Sequence, residues 1–185
     1  MQNFKDSVKA SLLNENWFGA LFLALALPDI CAVVEDPTNQ NVGERYKAWF
    51  NKYLKELYDP TSMYTFMEAR HPDVLNSMGH FAETLKSQDV TLRFTTDDFY
   101  QARCKCLHQG YVEMKSGETF IFITPPPRGN IVHGNLFKGM YQLQINIFCE
   151  DICEGVTRWE ADISLEDDVQ TRIAELLIIH PFDSL

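Results

Sequence analysis

The hydrophobic pattern of this chain changes its period near Gly110, and that change constrains the fold more than any other feature. Ahead of it, apolar residues recur at helical spacing. Behind it, Phe120-Ile121-Phe122-Ile123 and Tyr141-Gln142-Leu143-Gln144-Ile145-Asn146-Ile147 read as strands, the second with period-two alternation. Between them, Pro125-Pro126-Pro127-Arg128-Gly129-Asn130 excludes a helix. Helices followed by strands, rather than alternating with them, give an α+β domain. The expectation is one domain over 1–185 with a helical part over 1–115 and a β-rich part over 116–185. Within it we expect an N-terminal helical bundle (about 1–110), a small antiparallel β-sheet (about 118–163) and a C-terminal helix.

Residues 4–27 read as one helix, with Phe4, Val8, Leu12 and Leu13 at helical spacing and Pro28 as its end. A second helix runs from Val42 to Tyr58, gathers Tyr46, Trp49, Phe50, Tyr53, Leu54 and Leu57 on one face, and stops at Asp59-Pro60. Pro72 and Gly79 divide 61–86 into short helical pieces. Thr95 and Thr96 offer an N-cap to a helix with Asp97 and Asp98 in its first turn and Gly110 as its stop. Ser164 caps a last helix over 164–179, with Val169, Ile173, Leu176 and Leu177 on its apolar face.

Charge limits the partners. With 26 acidic and 16 basic residues the net charge is -10, which opposes a broad DNA-binding surface and adhesion to anionic membrane. The apolar run Trp17 to Leu27 covers 11 residues, fewer than a bilayer needs, so no membrane association is expected. Five cysteines without a recognisable signal segment point to the cytoplasm and reduced thiols. The spacings of Cys104-Lys105-Cys106 and Cys149-x3-Cys153 are not those of a zinc knuckle, and Cys104 and Cys106 would point about 200° apart on a helix. They read as core thiols, so no metal and no cofactor is expected. Phe120, Phe122, Tyr141 and Phe148 lack the flanking cations of a base-stacking platform and read as core.

Chemistry concentrates in Arg103-Cys104-Lys105-Cys106-Leu107-His108, an R-x4-H segment on the helix that Thr95 begins. Arg supplies a permanent forked charge for phosphate, and His moves protons near neutral pH. The segment, with a helical half-chain ahead of it, resembles the signature of the HEPN superfamily: small, often dimeric helical domains, many of them metal-independent RNases of toxin and defence systems. The resemblance implies that Arg103 holds the scissile phosphate and that His108 helps a ribose 2'-hydroxyl attack it, leaving a 2',3'-cyclic phosphate. It implies a homodimer and RNA or a nucleotide as ligand, with activity or with binding alone. Five residues on an α-helix correspond to about 140°, which places the two side chains on different sides. Arg128 and His133 repeat the spacing inside the proline-rich loop. The bland alternative pairs Arg103 with Asp97 or Asp98 and leaves His108 at the helix C-terminus. The protein would then be a non-enzymatic structural or interaction protein forming homo-oligomers.

Overall fold

The computed structural model describes residues 1–109, 114–116 and 119–176. Its helices are α1 (Gln2–Leu13), α2 (Trp17–Glu35), α3 (Val42–Tyr53), α4 (Lys55–Tyr58), α5 (Met63–Arg70), α6 (Pro72–Ser77), a 3₁₀ segment (Gly79–Ser87), α7 (Thr96–Cys104), α8 (Ile145–Asp162) and α9 (Asp167–Ala174). The last turn of α7 continues into a π-helical turn, Lys105–Gln109. Four strands, β1 (Met114–Ser116), β2 (Thr119–Thr124), β3 (Asn135–Phe137) and β4 (Met140–Gln144), complete an α+β fold with a helical N-terminal part.

The first expected helix is two. Asn14, Glu15 and Asn16 form a corner in which Glu15 takes φ 55°, and the Asn16 side chain caps α2 by accepting from the Gly19 N–H at 3.1 Å. Pro28 lies buried inside α2 and does not end it. The ring of Pro28 opens the helix at the preceding turn, where the Tyr46 hydroxyl donates to the Leu25 carbonyl at 3.0 Å. The result is a 19-residue helix that is long and apolar enough, by length and composition, to cross a membrane, although 44% of its apolar window is buried in the protein. The expected helix 42–58 breaks at Leu54, yet its whole aromatic face is buried as expected.

The sheet has the order β1-β2-β4-β3 and is mixed rather than purely antiparallel. Strands β1 and β2 pair antiparallel, as do β3 and β4, but β2 and β4 run parallel. The reason lies in the turn Lys138-Gly139, whose φ values of 51° and 77° are those of a two-residue hairpin turn. The chain leaves β2, crosses to the far edge as β3, and the hairpin returns it beside β2 in the same direction.

The alternation read over 141–147 holds only to Gln144, and α8 occupies Ile145 onward, where the sheet was expected to continue. Phe148, Cys149, Ile152, Val156 and Trp159 are buried along it at helical spacing. Ser164 does not cap the last helix. Its N–H closes α8 on the Ala161 carbonyl, and Glu166 stands at the N-cap of α9. The expected Gly110 stop and residues 177–179 lie outside the described residues.

Helix α8 follows β4 directly and packs against α1, α2 and α3, which joins the two parts in one core. Phe148 carries that junction, with its ring edge-to-face with Tyr58 (5.8 Å), Phe94 (5.7 Å) and Phe99 (6.1 Å). Tyr141 and Phe148 are buried while Phe120 is half-exposed, so the aromatics read on the strands do not form one stacking surface.

Candidate functional site

The site is built where α7 crosses α2 and α3. Thr95 begins α7 with a capping box. Asp98 accepts from the Thr95 N–H (2.8 Å) and hydroxyl (2.7 Å), and the Thr95 hydroxyl accepts from the Asp98 N–H. Asp97 pairs with Lys47 at 2.6 Å. Neither carboxylate is the partner of Arg103. That partner is Asp29, one residue past the Pro28 opening in α2, whose Oδ2 accepts from Arg103 Nη2 at 3.2 Å. Asp29 Oδ1 accepts from Arg45 Nε of α3 at 2.8 Å, and Arg45 Nη1 donates to the Asn39 carbonyl at 2.9 Å.

His108 lies on the π-helical turn that continues α7, and Arg103 lies on α7 itself. Arg103 Nη1 stands 3.1 Å from His108 Nε2. A guanidinium only donates, so His108 Nε2 accepts and the ring proton resides on Nδ1. His108 is exposed, whereas the Arg103 side chain is only 15% exposed. Arg103 Nε is buried with no hydrogen-bond partner among the described residues.

Two guanidinium groups share one carboxylate here, which leaves a local excess of positive charge on a protein of net charge -10. A phosphate oxygen is a fitting third acceptor for such a pair. The structure thus brings the two expected residues together and adds Asp29 and Arg45, which the sequence reading missed. They lie 74 and 58 residues before Arg103, from the separations 103 − 29 and 103 − 45, so no local spacing could reveal them.

The second R-x4-H pair is not assembled in this way. Arg128 is exposed in its loop, while His133 lines a separate cavity near Tyr58 and Arg70. Of the five free cysteines, Cys31, Cys106, Cys149 and Cys153 are buried and only Cys104 is partly exposed. Burial pushes the buried thiols up in pKa, Cys106 and Cys153 to about 11. Among the described residues no group of three or more His, Cys, Asp and Glu side chains is arranged to hold a metal ion. Comparison of the chain with protein-family models, with curated proteins and with solved structures finds no match.

Proposed function

We propose that the Arg103–His108 pair binds RNA phosphodiesters and cleaves them without a metal, as the HEPN-like resemblance implies. The observation that supports this most is the contact of a forked cation with an imidazole, 3.1 Å apart, on a guanidinium whose carboxylate partner also holds a second arginine. An entering phosphate oxygen replaces His108 as the acceptor of Arg103 Nη1 and frees the Nε2 lone pair. Nε2 then takes the proton of the ribose 2'-hydroxyl as its oxygen attacks phosphorus. The bond to the 5'-oxygen breaks, that oxygen is protonated by water, and a 2',3'-cyclic phosphate remains. Arg103 and Arg45 balance the charge that builds on the equatorial oxygens.

The reading includes a homodimer. Phe18, Phe22, Asp29 and Val33 follow one another at helical spacing along α2, and Phe18 is 67% exposed. A second copy seated on this stripe lies beside both Arg103–His108 pairs. Five free thiols are in keeping with action in the cytoplasm. The test is metal-free incubation of the purified protein with single-stranded RNA in chelator, comparing wild type with His108→Ala and Arg103→Ala. Cleavage by wild type alone, with cyclic-phosphate ends, supports the reading, and equal cleavage by all three or none by any removes it.

The same apolar stripe favours a second reading, a non-enzymatic homo-oligomer. That reading stands if Phe18→Glu with Phe22→Glu dissolves a dimer whose wild type neither binds nor cuts RNA.

A further inference from the structure

A cavity of about 380 Å³ opens between α4, α5, the 89–92 segment and the 131–134 loop, and neither Arg103 nor His108 is in its lining. Its volume falls at the low end of the range for small-molecule sites, about 300–1,000 Å³. Leu57, Met63, Phe66, Val90 and Leu92 form an apolar wall.

Arg70, His71, Asp89, Thr91, His133 and Tyr141 bring polar groups to the lining of this cavity. Arg70 is held by Asp151 through two parallel bonds of 2.7 Å, and the Tyr58 hydroxyl donates to the same carboxylate at 2.5 Å. That cation and that anion are already matched. Tyr141 is different. It is only 5% exposed and lines the cavity, and its hydroxyl makes no hydrogen bond to any of the described residues. That hydroxyl is free to donate to an acceptor placed in the cavity, whereas the His133 Nε2 atom is closed off by burial. His133, also in the lining, uses Nδ1 to accept the Gln144 N–H at 3.1 Å, so its proton sits on Nε2 and the ring is neutral toward the cavity. At the mouth, Asp89 is engaged by Arg93 at 2.6 Å.

We infer that this cavity binds a small, uncharged, mostly apolar molecule carrying one carbonyl-type acceptor, which takes the Tyr141 O–H. The charge class follows from the matched Arg70–Asp151 pair. A ligand carboxylate would meet a cation whose charge is already balanced, and an ammonium would meet a carboxylate in the same condition. The apolar wall supplies affinity and Tyr141 supplies orientation.

The test uses three probes of matched shape, 4-phenyl-2-butanone, butylbenzene and 4-phenylbutanoate, titrated into the full-length protein and followed by methyl NMR at Met63, Leu57 and Leu92. The ketone is expected to give saturable shifts at these methyls and to bind more tightly than the carboxylate. Tyr141→Phe, which keeps the ring, is expected to weaken the ketone about fivefold to tenfold, the worth of one hydrogen bond, while butylbenzene stays within roughly twofold. Met63→Trp, which narrows the cavity from a partly exposed position, is expected to abolish all shifts. No saturable shift in folded wild type, equal ketone binding by wild type and Tyr141→Phe, or tighter binding of the carboxylate overturns the inference.

Discussion

Arg103 Nη1 on α7 and His108 Nε2 on the π-helical turn that continues it stand 3.1 Å apart. The contact also leans on Asp29, which holds the other terminal nitrogen of the same guanidinium. Asp29 therefore has two opposed effects. It aims Arg103, and it cancels part of the charge that a phosphate would meet.

Asp29→Asn separates these effects. With the charge removed and the shape kept, RNA binding is expected to tighten by roughly 0.5–1 kcal/mol, the scale of a partly exposed ion pair. Cleavage is expected to fall at least about tenfold as Arg103 loses its orientation. Fluorescence anisotropy and single-turnover cleavage read the two separately, and weaker binding would place the phosphate elsewhere.

His133 predicts an acid-sensitive stability. Burial is the main cause that lowers its pKa from the ordinary 6.5 to about 4, with Asp151 acting the other way. Since the folded value lies below the unfolded one, the neutral ring contributes stability that is fully present above pH 6.5. That stability is lost as the pH falls from 6.5 toward 4, by at most about 3 kcal/mol. Urea unfolding at stepped pH is expected to show this slope in wild type and a flatter one over the same window in His133→Phe. Identical slopes would contradict it.

Arg70 and Asp151 are both largely buried, at 19% and 13% side-chain exposure. Arg70→Met leaves the Asp151 carboxylate and the Tyr58 hydroxyl bonded to it without the cation, at a cost of about 3–5 kcal/mol. The double variant Arg70→Met with Asp151→Leu is expected to recover much of that loss. Chemical denaturation of the four proteins checks it, and an additive double variant would deny the coupling.

Gly155 sits inside α8 where a Cβ would lie 2.7 Å from Trp49 Cη2. The Trp49 ring is 3% exposed and has no room to move aside freely. Gly155→Ala should gain up to about 1 kcal/mol of helix propensity yet lose about 1–3 kcal/mol by overpacking. A net drop in melting temperature is expected, and a rise would mean that Trp49 repacks at little cost.

Cys104 is the one partly exposed thiol of the five. A thiol-reactive dye at neutral pH is expected to label one site quickly in the folded protein and four more only in denaturant. Peptide mapping of the fast site tests the burial of the other four directly.

Much of this architecture was legible before any coordinates. The aromatic face of Val42–Tyr58, the Thr95 cap and the strand Phe120–Ile123 are local patterns, written in spacing and capping chemistry, and each has its expected character. The helix boundaries were less legible, because tertiary burial overrides local signals. Pro28 is accommodated inside α2 by packing around it and by Tyr46, and Ile145 begins a helix whose inner face, from Phe148 to Trp159, is buried at helical spacing.

The sequence alone determined that one segment carries an arginine and a histidine five residues apart and that the fold is helical first and β-bearing after. It also set the net charge of -10. Only the tertiary structure decided what surrounds that pair. Asp29 and Arg45 reach Arg103 from distant parts of the chain through the packing of α2 and α3. Contacts of that range depend on how whole helices cross, so they belong to the fold rather than to any stretch of residues.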